Sequence, residues 1–218
     1  MKESTITKGA LTRQEILAAA KRLFLKQGFS ATPMRQIASE AGITPAAIYN
    51  HYPSKEHLFT ALLQNEAPYD ELFALVGEIE ADSPEDLLRQ VFLMALAFVT
   101  DNQHYLQLAQ IDAQERNGAA LAALIPQVLP RAQMWYQRLV ALDAARRDGE
   151  ARLRQIPFLV FVRTMLSLLA GFILTQRVVT LERLPQVADI DWPDALTDIL
   201  LHGVLKPSDR NEEGRAAI

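Results

Sequence analysis

An all-α fold is what this 218-residue sequence predicts, with an N-terminal three-helix helix-turn-helix domain and a larger C-terminal helical domain. Three observations predict it. Apolar residues recur at i, i+3 and i+4 along almost every segment, and no run sustains the two-residue alternation of a half-buried strand. Helix start signals (Thr-Pro, Ser-Pro-Glu) and glycine stops recur between those segments. Half of the residues are hydrophobic, enough to bury a sizeable core. The signals divide the chain into residues 1–55, residues 56–207 and a polar tail over 208–218 that is expected to be disordered.

Each element has its own signal. Thr12-Arg13-Gln14-Glu15 reads as a capping box that starts a first helix with the apolar face Ile16, Ala19, Ala20, Leu23 and Phe24. Gly28 ends it in the left-handed conformation of a C-terminal cap. Thr32-Pro33 starts a second helix, with threonine as N-cap and proline at the first helical position. Gly42 breaks that helix, and Thr44-Pro45 starts a third that stops before Pro53. Ser54 caps a fourth helix from Lys55 onward. In the body, Ser83-Pro84-Glu85-Asp86 opens a helix to about Asn102, and another runs from about His104 to Arg116. Residues 119 to 125 make a further turn or two. Pro126 and Pro130 punctuate before a helix over Arg131–Arg147. A long apolar helix covers 156–179, and Asp191-Trp192-Pro193-Asp194 starts the last one, which ends before Pro207.

The stretch PFLVFVRTMLSLLAGFIL, residues 157–174, tests a membrane reading. Arg163 lies inside it with Thr164 and Ser167. A central arginine is costly in lipid and the uninterrupted part is too short to span, so a buried helix in a soluble bundle is expected. The N-terminus has no apolar core of a signal peptide and the chain has no cysteine; both fit a reducing, cytoplasmic setting.

Charge is uneven. Residues 1–65 hold eight Lys/Arg against four acidic residues, a net +4, whereas 66–218 hold 14 against 22, a net −8. A basic head on an acidic body suggests that the head alone meets a polyanion. Enzyme chemistry finds no support. His51, His57, His104 and His202 lack metal-ligand spacing, and no G-x-S-x-G, P-loop or G-x-G-x-x-G occurs, so neither a cofactor nor a metal is expected.

The segment AGITPAAIYNHYPSKEHLF, residues 41–59, carries the function. A helix, a tight glycine turn and a short helix form the arrangement whose second helix enters the major groove of double-stranded DNA. Ile37, Ala38, Ile43 and Ile48 are spaced to pack on the first helix, which leaves Thr44, Pro45, Ala47 and Asn50 facing outward. Thr44 and the helix N-terminus can hold a phosphate. Asn50 can pair with an adenine edge, while Pro45 and Ala47 can meet a thymine methyl. Tyr49, His51 and Lys55 flank the groove, within reach of phosphates. Tyr52 is expected in the core.

Over residues 12–59 the sequence resembles the TetR family of bacterial transcriptional regulators. The resemblance rests on Ile16-Leu17, Ala19-Ala20, Leu23-Phe24, Gly28, Thr32, Ile37-Ala38, Ala41-Gly42, Tyr49, His51 and Ser54-Lys55-Glu56. It implies that Thr32, Thr44, Tyr49, His51 and Lys55 contact phosphates, that Pro45, Ala46, Ala47 and Asn50 read bases, and that Arg35 reads a base or a phosphate. Many family members carry lysine and glycine where this chain has Pro45 and Ala46, so close backbone approach at position 46 is in question.

The resemblance further implies a repressor that binds a palindromic operator as a homodimer and is released by a small, mostly apolar effector. The helices at 156–179 and 192–206 are the dimer candidates, with a stripe of Ser167, Ala170, Gly171 and Leu174 on one and of Ala195, Ile199, His202 and Gly203 on the other that would allow close approach. Phe92, Phe98, Leu108, Met134, Trp135, Phe158, Phe161 and Met165 are expected to line the effector cavity. A buried Arg163 would need a partner, either Asp112 or Glu115 or an anionic ligand. The alternative is a DNA-binding protein without a small-molecule effector, architectural or controlled by a partner. A filled body would favour it.

Overall fold

Side-chain caps set the starts of only some helices in the computed structural model, which describes residues 8–145, 153–178 and 190–204. Among these residues every regular element is a helix, and Leu153 forms an isolated bridge. The helices are α1 (Lys8–Gln27), α2 (Met34–Glu40), α3 (Pro45–His51), α4 (Lys55–Glu66), α5 (Tyr69–Glu78), α6 (Pro84–Asp101), α7 (Gln103–Glu115), α8 (Ala119–Ala122), α9 (Ile125–Ala144), α10 (Phe158–Val178) and α11 (Trp192–Val204).

The chain divides into two compact units, residues 1–68 with 102–127 and residues 69–101 with 128–218. The first unit is the helix-turn-helix head extended by α4, α7 and α8. Ile16, Ala19, Ala20 and Phe24 of α1 are fully buried, as are Ile37 and Ala38 of α2 and Ile48 of α3. Leu58, Phe59, Leu62 and Leu63 of α4 and Leu108 of α7 are buried in the same unit. A boundary after residue 55 therefore cuts this unit, because α4 buries a whole apolar face in it. Phe24, Phe29 and Phe59 form its aromatic centre, with ring centroids 5.0–5.7 Å apart.

Several starts differ from expectation. The first helix begins at Lys8, so Thr12 lies inside it and is no cap. Pro33, not Thr32, is the N-cap of α2, since the Thr32 hydroxyl turns inward. Both Pro126 and Pro130 lie within α9. Pro126 needs no intrahelical donor at the first turn. A separate helix, α5, occupies residues that carried no start signal. The expected stop at Gly149 and the tail from 208 lie outside the described residues.

Elsewhere the signals and the structure agree. Gly28 follows α1 at φ +81°. The α2–α3 turn is a Schellman motif: Ile43 N–H donates to Ala38 O at 3.0 Å and Gly42 N–H to Ser39 O at 3.1 Å, with Gly42 at φ +69°. Thr44 caps α3, its Oγ1 accepting from Ala47 N at 3.2 Å, and Pro45 holds the first helical position. Thr44→Ala is expected to cost about 1 kcal/mol in a urea titration. No change would mean that the Schellman turn alone sets the start of α3.

The second unit packs α5, α10 and α11 around α6, and α9 sets Trp135 and Tyr136 against Phe158 and Phe161 of α10. Leu87, Leu88, Val91, Phe92, Leu139, Phe161, Met165, Leu169, Leu200 and Leu201 form its core. Phe161, Met165, Leu169 and Ile173 bury one face of α10. The other face stays open in the single chain. Only 22% of the apolar window Phe158–Thr175 is buried, and Leu159, Leu166 (60% exposed) and Leu174 face outward. By length and composition this helix could cross a membrane. The expectation of a helix buried within the chain thus holds for one face only.

Candidate nucleic-acid interface

The third helix is short, and Ile48 alone of its side chains is fully buried, anchoring it to the head. The rest follows from helical spacing. Pro45, Ala46, Tyr49 and Asn50 are exposed, and Ala47 and His51 are half-buried. Tyr49 is 53% exposed, a large value for an aromatic side chain without a surface role. Tyr52, by contrast, packs in the core, and burial pushes its phenol pKa up. Thr44 remains exposed, and its hydroxyl hydrogen is free of the cap bond, in which the oxygen accepts.

The exposed face is small and nearly neutral. Asn50 supplies a donor and an acceptor, and Pro45 and Ala46 supply apolar surface with no bulk. Arg35 projects from the first turn of α2 and is exposed. Arg22, by contrast, pairs with Glu40 at 3.0 Å.

Two residues expected to contact phosphates also hold the α1–α2 turn. Thr32 is fully buried; its hydroxyl donates to Gly28 O at 2.7 Å and accepts from Gln27 Nε2 at 3.1 Å. Its backbone N–H donates to Phe29 O. The residue builds the α1–α2 turn and has no free donor to offer a phosphate. Lys55 is half-buried, with Nζ 2.8 Å from Phe29 O and 4.3 Å from the centroid of the Phe29 ring. It ties α4 to that same turn.

Sequence reading did not foresee the end of α7. Buried Asp112 pairs with Arg116 at 2.9 Å and accepts from the N–H groups of Ala120 and Leu121, the start of α8. The Arg116 guanidinium lies over the Phe29 and Phe59 rings, 5.0 and 4.8 Å from their centroids. Glu115 accepts from Phe29 N and Ser30 N at 3.2 and 2.7 Å, and its bonds to Ser30 hold its carboxyl below the usual range. Glu115, one step from Arg116, was legible only as a possible partner for Arg163.

The expected effector residues do not gather around one described cavity. Phe92, Phe161 and Met165 are packed in the core of the second unit, and Leu108 belongs to the core of the first. Met134 is 70% exposed. Arg163 is exposed, because it falls on the open face of α10; it needs no buried partner, and Asp112 and Glu115 are engaged in the first unit. Phe98 is half-buried. Phe158 lies 5.5 Å from Tyr136, and Trp135 5.5 Å from Phe161. The Trp135 indole N–H is buried without an acceptor among the described residues. A cleft of about 520 Å³ in this unit is lined by Tyr136, Val140, Asp143, Leu153 and Ile156 among others, none of them an expected effector residue.

Residues 16–62 match the model of the family described as bacterial regulatory proteins, tetR family. The chain is 28% identical over 149 residues to the HTH-type transcriptional repressor BepR of Brucella suis biovar 1 (strain 1330), covering 67% of this chain and 71% of that protein. It is 30% identical over 142 residues to the nucleoid occlusion factor SlmA of Sodalis glossinidius (strain morsitans), covering 64% and 70%. Among solved structures it superposes on NalD, the secondary repressor of the MexAB-OprM multidrug efflux pump in Pseudomonas aeruginosa. The TM-score is 0.57 at 25% identity, over 91% of this chain and 99% of that one.

Proposed function

The chain belongs to the tetR family of bacterial regulatory proteins, and from that premise we propose that it is a transcriptional repressor that binds a palindromic operator as a homodimer. The reading rests on one observation above all. A capped, two-turn α3 presents Pro45, Ala46, Tyr49 and Asn50 to solvent from a single buried anchor, Ile48. Small side chains permit close approach to base edges, Asn50 reads an adenine, and Thr44, Tyr49, His51 and Arg35 hold the backbone on either side. Lys55 keeps one donor for a phosphate beyond its bonds to Phe29 O and, longer, to Ser30 O.

Dimerisation is supported by the open apolar face of α10 and by Ile199 of α11, which is 63% exposed. Exposed Ser167 and Ala170 let a second helix approach closely. A work site on DNA puts the protein in the cytoplasm, and a second copy rather than lipid then covers this face. A small, mostly apolar effector that releases the operator would bind in the second unit. Such an effector acts by favouring a spacing of the two heads that no longer matches the half-sites.

A second reading keeps the DNA and drops the effector. Phe92, Phe161 and Met165 are packed rather than poised around a cavity, and SlmA, a relative at 30% identity, is named a nucleoid occlusion factor. Displacement of bound operator by a library of apolar compounds separates the two; no displacement favours the second.

Selection of genomic fragments by purified protein at about 150 mM salt tests the main proposal, since nonspecific binding is weak there. Fragments sharing a palindrome are expected. On such a fragment Asn50→Ala should relax one base pair per half-site, at about 1–3 kcal/mol. A uniform loss across all operator variants would assign Asn50 to the backbone instead.

A further inference from the structure

We propose that Glu115 is a positioning residue for DNA recognition: from the end of α7 its carboxylate clasps the α1–α2 turn and thereby fixes the placement of α2 and α3. The inference rests on the reading of α3 as the DNA-facing helix. It goes beyond that reading by naming what holds the helix in register.

Four observations carry it. Glu115 divides its two oxygens between consecutive backbone donors, Oε1 on Phe29 N–H at 3.2 Å and Oε2 on Ser30 N–H at 2.7 Å. A carboxylate accepting two amide donors makes charge-assisted bonds that fix both distance and orientation. The site is shaped for it: a Cβ on Gly28, at φ +81°, would stand 2.6 Å from Glu115 Oε1. Lys55 holds the same turn as well, with Nζ on Phe29 O at 2.8 Å and its charge near the Glu115 carboxylate. The turn then passes through buried Thr32 and the Pro33 N-cap into α2, whose Schellman turn aims α3. A shift at the end of α7 is transmitted along a chain of fixed backbone.

Electrostatics sharpens the argument. A carboxylate on a basic, DNA-facing head repels phosphates, so charge alone predicts that removing Glu115 strengthens binding. Positioning predicts the opposite for a specific site. The hydrophobic centre of Phe24, Phe29 and Phe59 stays intact beneath the clasp, so the head should remain folded without it.

The experiment uses the full chain with Glu115→Ala and Glu115→Gln. The probes are an operator fragment recovered by genomic selection and a shuffled duplex of equal length, at one salt concentration. Specific affinity is expected to fall about ten-fold for the alanine variant, less for glutamine, which keeps one acceptor. Binding to the shuffled duplex should be unchanged or tighter. Hydrogen exchange without DNA should quicken at Ser30 and through α2 and α3. Specific affinity that is unchanged or increased in both variants overturns the proposal. If the alanine variant does not fold, the glutamine variant carries the test. If the native protein does not discriminate the two duplexes, the DNA reading fails by itself. The clasp is then judged by exchange alone, and unaltered protection across α2 and α3 overturns it.

Discussion

Asp112→Ala is expected to destabilise the protein by about 3–5 kcal/mol, the cost of leaving one member of a buried ion pair without its partner. Asp112 is fully buried and the Arg116 side chain is 7% exposed, so water cannot replace the lost contact. Arg116 would keep Glu56 O and Thr60 Oγ1, both at 3.5 Å, the two aromatic faces and the more distant charge of Glu56. The N–H groups of Ala120 and Leu121 would lose their acceptor as well, and an orphaned buried donor carries its own desolvation cost. Urea unfolding at one fixed protein concentration measures the effect, because dimerisation would make the midpoint depend on concentration. Asp112→Asn should cost less, as it keeps the shape and one acceptor. In a double-mutant cycle Arg116→Met should be milder on the Asp112→Ala background than alone. A loss under about 1 kcal/mol for Asp112→Ala would show that α8 and the Phe29–Phe59 pair hold without the ion pair.

The same cluster shows where the sequence is legible and where it is not. Several signals that act within about five residues are read correctly, although Thr12 and Thr32 are not the caps they resemble. Gly28 and Gly42 sit at positive φ, Thr44 and Ser54 accept from the N–H three residues on, and Asp191 does so for Asp194. Periodicity located the buried faces of α1 through α3, because a helix that packs on one side must repeat its apolar residues every three to four positions. What failed was long-range pairing. The contacts of Glu115 with Phe29 and Ser30 span 86 and 85 residues, and no local pattern distinguishes a glutamate that clasps a turn from a solvated one. Arg163 failed for a related reason. An arginine in an apolar run implies a buried charge only if the run is buried all round, whereas α10 is closed on one face. Thr32 was misassigned because Thr-Pro reads as a cap, yet its hydroxyl has a better acceptor four residues back in Gly28 O.

The open face of α10 supports the second large effect. Leu166→Glu is expected to weaken self-association at least about 100-fold, since a carboxylate buried at an interface without a partner costs several kcal/mol and each 1.4 kcal/mol is ten-fold. Leu166 is 60% exposed in the single chain, so the substitution leaves the chain's own core untouched and its effect belongs to whatever covers the helix. Sedimentation at micromolar concentration should give a dimer for the native chain and a monomer for the variant. Met134→Glu, at a site of similar exposure on α9, should leave the dimer intact. Operator affinity should fall with the dimer. Each α3 offers a single turn or two of contact, and two linked heads gain from effective concentration what neither has alone. A Leu166→Glu variant that still sediments as a dimer would move the interface off α10. A native chain that sediments as a monomer and floats with lipid vesicles, while the variant does not, would give the apolar face to a membrane.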